Sequence, residues 1–222
     1  MTTPVSSSIR EARIRLRGES LVLLPERAAY WASGKTLLVA DAHFGKAASF
    51  RASGVPVPRG TTSENLARLD RMLERHPAER IVFLGDLLHS AAGRQDATLQ
   101  AIAAWRARRR ELALVLVRGN HDPAGEKRFD GLFEAVEDIV SARGIAGVDE
   151  RIVMFHYPID QWQGRPNGGF HLHGHVHGHG ATLARRCDVG VDVAASQLRP
   201  RALDELIAQL RKDKPTGFVR VK

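Results

Sequence analysis

The sequence predicts an α/β fold built around a parallel sheet. Three apolar segments, residues 36–40, 80–84 and 114–117, have the length and composition of buried strands. Apolar residues at helical spacing lie between them, so strand and helix alternate in this half of the chain. That alternation is typical of parallel sheets with helical crossovers. The length of 222 residues is enough for one such domain with a sizeable core.

The elements before the first helix are short. Residues 12–16 and 21–24 are strand candidates separated by a glycine, which predicts a hairpin at the edge of the sheet. After the first buried strand, a short helix is predicted from about Phe44. Residues 51–60 follow, and their prolines and glycines exclude regular structure. We expect this loop to lie beside the polar residues that end the strand.

Two longer helices are predicted on either side of the second buried strand. A Thr-x-x-Glu capping box followed by leucines at helical spacing predicts a helix over residues 61–76. A second helix is expected over residues 97–110, with Leu99, Ile102 and Ala103 facing the core. Its C-terminal end is rich in arginine, where positive charge suits the helix dipole.

The second half of the chain has a different pattern. Residues 137–142 and 151–155 are predicted strands, and residues 188–193 alternate as a strand does. Residues 164–180 are rich in glycine and histidine, and apolar spacing over residues 203–210 predicts a closing helix. We expect a disordered N-terminus over residues 1–8 and a single domain over residues 9–222.

Composition limits the environment and the partners of the chain. The net charge is +8, with 27 arginines and 6 lysines. Arginine can donate two parallel hydrogen bonds to phosphate, which makes nucleic acid a candidate partner, although such charge also occurs as plain solvated surface. The single cysteine, Cys187, cannot form an internal disulfide, and no apolar run has the length of a signal peptide or membrane span. A soluble, cytoplasmic protein without membrane contact is expected.

Polar residues of the metal-binding type follow the predicted strands in a specific order. The motifs are Asp-x-His, Gly-Asp, Gly-Asn-His-Asp, a strand-final His and Gly-His-x-His. Carboxylate, imidazole and amide groups suit manganese, iron, zinc or nickel, and there are too many of them for one ion. Two ions that share a bridging carboxylate would use the set. The candidate residues are Asp41, His43, Asp86, Asn120, His121, Asp122, His156, His175 and His177.

This ordered set resembles the motifs of the calcineurin-like metallophosphoesterases. Residues 39–46, 54–60 and 188–193 further resemble the bacterial ligase-associated DNA damage response endonucleases, the PdeM family. The chain departs from the family pattern at Ala42 and Phe44, where leucine is common, and at Asp188, where asparagine is common. The resemblance implies a four-layer αββα sandwich of two mixed β-sheets flanked by helices, and a functional link to a DNA ligase and a helicase.

The resemblance also implies two metal sites joined by one carboxylate. One metal would be held by Asp41, His43 and His177. The other would be held by Asn120, His156 and His175. Asp86 would bridge the two ions, which are expected to be manganese, with iron, zinc or nickel as alternatives.

Further residues are assigned to catalysis or to substrate binding. The resemblance implies that His121 protonates the leaving oxygen and that Asp122 orients its imidazole. Lys46, Arg51 and Arg118 are candidates for holding substrate phosphate, and charge on a helix surface is the alternative explanation for the first two.

Three neighbours of these motifs remain open to two interpretations. His89 follows Asp86 by three residues and fits either contact with the ligands or the core. Tyr157 and Trp162 could stack on a base, but an aromatic residue near a glycine-rich loop more often packs inside the protein.

The expected function is hydrolysis of phosphodiester bonds by a metal-bridged hydroxide. A DNA-processing nuclease of DNA repair is the favoured form of this enzyme. The alternative is a phosphatase or phosphodiesterase for small molecules or nucleotides, because the same centre serves both. A catalytically inactive scaffold is disfavoured, since every ligand of the set and the Gly-Asn-His-Asp histidine are present.

Overall fold

The computed structural model describes residues 11–16, 19–24, 26, 28–57, 61–89, 96–122, 131–143, 151–177, 179 and 183–190. These residues contain two β-sheets. The larger sheet has seven strands, β1 (Ala12–Leu16), β2 (Glu19–Leu24), β3 (Ala28–Trp31), β4 (Thr36–Val39), β5 (Arg80–Leu84), β6 (Ala113–Val117) and β7 (Ala135–Glu137). They lie side by side in chain order. Strands β1 to β4 are antiparallel neighbours and β4 to β7 are parallel.

The smaller sheet is formed by the second half of the chain. Its strands are β8 (Ile139–Arg143), β9 (Arg151–Phe155), β10 (Phe170–His173) and β11 (Arg186–Asp188). They lie in the order β11-β10-β9-β8, with β8 antiparallel to β9 and the other pairs parallel. The described helices are α1 (Lys46–Ala52), α2 (Thr61–Arg75), α3 (Asp96–Arg108) and a 3-10 helix, Arg165–Asn167.

Strand β4 shows how the layers pack. Leu37 and Val39 belong to a buried cluster that includes residues of α2 and α3. Leu38 and Ala40 belong to a second cluster, which includes residues of β9 and β10. Successive strand residues point to opposite faces, so the large sheet lies between helices and the small sheet. Both faces are covered, which explains why the strand is apolar throughout.

The predicted α/β sandwich of two mixed sheets is therefore confirmed. The strands predicted at residues 36–40, 80–84 and 114–117 are β4, β5 and β6, and these three are parallel neighbours. The N-terminal hairpin is also confirmed, with β1 at the edge of the large sheet. Among the described helices, none is both long enough and apolar enough to cross a membrane.

The strand predicted over residues 137–142 is two strands in different sheets. Strand β7 ends at Glu137 and β8 begins at Ile139, so the chain passes from the large to the small sheet at Asp138. Arg118 holds this crossing, because its backbone N–H donates to the Glu137 carbonyl oxygen at 2.8 Å and its guanidinium pairs with Asp138 at 2.7 Å. Alternation of apolar residues marks a strand but does not show a change of sheet.

Other sequence predictions need smaller corrections. Ile102 is buried and Leu99 packs against the core as expected, but Ala103 is exposed. The other buried residues of α3 are Thr98 and Trp105. Strand β10 lies within the glycine-rich segment, where no strand was predicted. Of the strand predicted over residues 188–193, Asp188 alone lies in β11, and residues 191–193 are outside the described part.

Several predictions concern residues that the structure does not describe. The disordered N-terminus over residues 1–8, the end of the loop at residues 58–60 and the closing helix over residues 203–210 fall there. A single domain over residues 9–222 stays a prediction.

Candidate metal centre

The predicted ligands lie just beyond the carboxyl ends of strands from both sheets. Parallel strands bring these ends to one edge, which is where open α/β sheets place their chemistry. Asp41 and His43 follow β4, Asp86 follows β5, Asn120 follows β6, His156 follows β9, and His175 and His177 follow β10. The two sheets therefore contribute to one site.

Five of these ligand candidates have a left-handed backbone conformation. Their φ angles are 50° for Asp41, 44° for His43, 51° for Asp86, 69° for His175 and 48° for His177. A non-glycine residue in this region costs of order 1–3 kcal/mol and persists where the surrounding structure enforces it. Five of the seven such residues in the described chain belong to this set. Backbone strain is thus concentrated at the site.

Glycines next to the ligand candidates allow close packing. A Cβ atom at Gly119 would overlap the Asp86 carboxylate, and one at Gly85 would overlap the ring of His156. Gly85 also has φ +79°, a conformation that side chains disfavour. The glycines of the Gly-Asp and Gly-Asn-His-Asp motifs therefore make room for the functional side chains.

Asp41, His43 and His177 form the first group. One ligand atom from each lies within 4.8 Å of the others. The carboxylate of Asp41 is buried and accepts the backbone N–H of His175, at 3.1 and 3.0 Å from its two oxygens. Gly174 permits this approach, because a Cβ there would overlap the same carboxylate.

The first group includes a nitrogen that a cation would satisfy. Nδ1 of His177 is buried and has no hydrogen-bond partner within the described part of the chain. Leaving such an atom unpaired costs about 1–3 kcal/mol. A metal ion between the imidazoles and the Asp41 carboxylate would remove that cost, so the donor set of this group fits a divalent cation.

Asp86, His156 and His175 form the second group, again with ligand atoms within 4.8 Å of one another. Asn120 adds its side-chain oxygen, which lies 3.1 Å from Nε2 of His156. The groups adjoin, since Nδ1 of His156 is 4.0 Å from the carboxylate of Asp41.

The protonation of His156 makes the second group suitable for a cation as well. Nδ1 lies 2.9 Å from the Leu84 carbonyl oxygen, which only accepts, so Nδ1 carries the proton. Burial lowers the pKa of His156, which leaves Nε2 unprotonated in the neutral ring. That nitrogen faces the Asn120 oxygen and an Asp86 oxygen, the latter at 3.5 Å. Three electron-pair donors converge without a proton among them, an arrangement that fits a metal ion.

Burial also keeps His43 of the first group neutral. It lowers the pKa of His43 to about 3, with smaller contributions from the positive charge of Lys46 and from His89, His177 and His121. An imidazole with such a pKa is unprotonated at neutral pH, which is the form that binds metal ions.

His121 and Asp122 occupy different positions in the same loop. The side chain of His121 is 39% exposed, and its Nε2 lies 3.9 Å from Asp86. Asp122 is buried, and its two carboxylate oxygens accept backbone N–H groups of Leu87 and Gly119, each at 3.0 Å. Burial raises the pKa of Asp122 to about 6. The carboxylate of Asp122 therefore joins the loops after β5 and β6, and orientation of His121 by Asp122 stays a prediction.

Two neighbours whose interpretation was open lie against the ligand candidates. Nδ1 of His89 is 3.4 Å from Nδ1 of His43, and its ring lies 5.7 Å from that of His121. The ring of Tyr157 packs 4.9 Å from His156 and 4.8 Å from His175. The sequence signal that pointed to both residues was their position shortly after a motif.

The predicted phosphate-binding residues are not equivalent in the structure. Lys46 begins α1, and its charge acts on His43. Arg51 is exposed and donates to the Val57 carbonyl oxygen at 3.4 Å. Arg118 pairs with Asp138 at the crossing between the sheets. Their roles in substrate binding stay predictions.

Trp162 packs inside the protein. Its side chain is buried, its Nε1–H donates to the Gly169 carbonyl oxygen at 2.9 Å, and the Arg165 guanidinium lies 5.1 Å from the ring centre. The packing interpretation of this residue is therefore correct.

A sandwich of two mixed sheets with carboxylate, imidazole and amide groups at one edge is typical of metal-binding proteins of the α/β type. The family model described as calcineurin-like phosphoesterase matches residues 34–179, which include all seven ligand candidates. The chain therefore belongs to the calcineurin-like phosphoesterase family, and it is a metal-dependent phosphoester hydrolase.

The chain is also similar to solved structures. The Pseudomonas putida nuclease MPE is 34% identical, with a TM-score of 0.57, and the match covers 76% of this chain and 74% of that chain. A protein of unknown function, AQ665 from Aquifex aeolicus, is 19% identical with a TM-score of 0.49, over 77% of this chain and 98% of that chain. No curated protein matches the chain.

Proposed function

We propose that this chain is a two-metal phosphodiesterase that cleaves DNA during repair. The observation that supports this most is the pair of adjoining ligand groups, each with a feature that a cation would satisfy. We assign Asp41, His43 and His177 to one ion, Asn120, His156 and His175 to the other, and Asp86 to both. When bound, the two ions would lower the pKa of water to supply a nucleophile and would neutralise the phosphoryl oxygens.

His121 is the residue that we assign to the leaving group. It lies at the exposed side of the site, close to Asp86 but outside both ligand groups. As the bond from phosphorus to the leaving oxygen breaks, the imidazole would give its proton to that oxygen. The backbone N–H of His121 donates to the Asp86 carboxylate at 2.9 Å, which holds the residue beside the carboxylate that we assign to both ions.

Asp122 supports this arrangement through the backbone. Its bonds to Leu87 and Gly119 tie the loop that carries His121 to the loop that carries Asp86. The buried Asp122 carboxylate then adds to the direct bond between His121 and Asp86 in fixing the relative position of proton donor and bridging carboxylate. We propose that this bracing, together with orientation of the His121 ring, is the role of Asp122.

DNA is proposed as the substrate for three reasons. The similar structure from Pseudomonas putida is a nuclease. The net charge of +8 favours a polyanionic substrate. The motif resemblance to the ligase-associated endonucleases adds the proposed link to a DNA ligase and a helicase. Manganese is proposed as the metal, because mixed carboxylate, imidazole and amide ligands suit it.

Hydrolysis by the purified, manganese-loaded protein tests the proposal. Bis-p-nitrophenyl phosphate, p-nitrophenyl phosphate and single-stranded DNA are compared, with His121→Ala as the control variant and metal content measured on the same samples. Cleavage of diester and DNA that is lost in the variant supports the proposal. Monoester hydrolysis alone would make the protein a small-molecule phosphatase.

A single ion per chain in the active protein would contradict the two-metal assignment. Absence of all three activities with manganese, iron, zinc and nickel would contradict catalysis of these reactions altogether.

A further inference from the structure

An exposed aromatic side chain lies next to the candidate metal centre. Four large apolar side chains are exposed in the described part of the chain, and two of them, Phe50 and Val55, are at the end of α1. Phe50 is 39% exposed and Val55 is 47% exposed. Aromatic surface left in water beside a catalytic site is a feature that a ligand can use.

The end of α1 holds this pair in a defined geometry. Gly54, with φ +80°, donates its N–H to the Arg51 carbonyl oxygen at 3.0 Å, and the Val55 N–H donates to the Phe50 carbonyl oxygen at 2.9 Å. These two bonds are the Schellman motif, which commonly brings the side chains at the positions of Phe50 and Val55 into contact. The backbone from which the Phe50 side chain extends is thus fixed by the end of the helix.

The ring of His89 lies between Phe50 and the residues that we assign to metal binding and catalysis. Its ring centre lies 5.7 Å from that of His89, edge to face. His89 in turn lies 5.1 Å from His43 and 5.7 Å from His121. A phosphate placed between His43 and His121 would therefore have its neighbouring nucleotide within reach of Phe50.

Charge beside the ring favours a nucleic acid over an apolar protein partner. Lys46 is four residues before Phe50, so the two side chains share one face of α1 at about 5–6 Å between Cβ atoms. The backbone N–H of Lys46 donates to the carbonyl oxygen of His43 at 3.1 Å, so Lys46 lies at the end of α1 that adjoins the candidate metal centre. A cation for phosphate followed by an exposed ring for a base is the pattern of single-strand binding. An apolar area of two side chains is too small for a stable protein interface.

We propose that Phe50, with Val55 beside it, is a platform on which a nucleobase next to the cleaved phosphodiester stacks. The proposal rests on the proposed function, because it requires a nucleic-acid substrate. It assigns to this chain a preference for base-bearing single strands.

Comparison of two oligonucleotides tests the platform. One is an ordinary single strand, and the other has the same length with stable abasic residues in its central run. Bis-p-nitrophenyl phosphate is unsuitable here because its aryl rings could also stack. We expect the manganese-loaded wild type to cleave the ordinary strand roughly five- to tenfold more efficiently, the lower end of what base–aromatic stacking contributes.

Three variants isolate the ring. Phe50→Leu keeps an apolar residue at the helix end but removes the aromatic face, so it should lose most of the preference, mainly through KM, because stacking aids substrate and transition state alike. Phe50→Trp should keep the preference. Ile139→Ala removes another exposed apolar side chain, at the edge of the small sheet, and should change nothing.

The outcomes separate this proposal from the one on which it rests. If the wild type cleaves both strands equally, or if Phe50→Leu keeps the preference with the same KM, the platform is wrong while the nuclease proposal stands. If the wild type cleaves neither strand but hydrolyses a phosphomonoester, both proposals are wrong.

Discussion

A single methyl group at Gly119 should displace the carboxylate that we assign to both metals. In Gly119→Ala the new Cβ would stand 2.5 Å from the backbone nitrogen of Asp86, about 0.9 Å short of an ordinary contact of 3.4 Å, and it would also overlap the carboxylate. The φ angle of Gly119 is not left-handed, so alanine is strained only by this contact. The loop after β5 or the loop after β6 must therefore move by about 1 Å.

The movement should affect catalysis far more than folding. Overpacking of this kind costs about 1–3 kcal/mol of the free energy of unfolding, or a fall in Tm of a few degrees in a chain of this size. Misplacing catalytic groups by about 1 Å can lower turnover about 10²-fold. We expect Gly119→Ala to bind fewer than two metals per chain and to hydrolyse a phosphodiester about 10²-fold more slowly.

A matched control separates the contact from general destabilisation. Gly131 has φ +73° and open space where its Cβ would lie. Gly131→Ala should therefore lower the free energy of unfolding by about 1–2 kcal/mol, through the strained backbone conformation and not through a clash. Both variants should show similar falls in Tm, measured by thermal unfolding, but only Gly119→Ala should lose metal, measured by elemental analysis. Full metal content and wild-type turnover in Gly119→Ala would refute the reasoning.

Three further predictions test other parts of the site and fold. Asp86→Ala should remove both metals, and a variant that still binds two ions by elemental analysis would end the bridging assignment. His121→Ala should keep its metals while turnover falls, most for esters with poor leaving groups, and loss of metal would show that His121 is a ligand. Burial lowers the pKa of His171 from 6.5 to about 4. Between these pH values the unfolded state binds a proton at His171 and the folded state does not. Stability should then fall by about 3 kcal/mol as pH drops from 6.5 to 4. Denaturant unfolding of His171→Asn, which can still donate to the Val153 carbonyl oxygen, should show a shallower fall, and an unchanged pH slope would contradict this cause.

Much of the fold was predictable because its signals are local. Strand β5 was predicted to the residue, since an apolar run that ends at a glycine needs no distant information. The candidate ligands were equally visible, because each follows such a run. Residues 137–142 were mistaken for one strand because the change of sheet at Asp138 depends on where the small sheet lies, and the local pattern is the same in either case.

The sequence by itself determined the types of residue available for chemistry and their order along the chain. The tertiary structure decided how they combine. The His175 N–H meets the carboxylate of Asp41 across 134 residues, and His89 stands against His43 across 46. Asp122 accepts the backbone N–H of Leu87 across 35 residues, a contact that the motif alone did not predict. A motif reflects only the turn and strand preferences of a few neighbouring residues. These contacts arise only when the two sheets pack and bring their strand ends together.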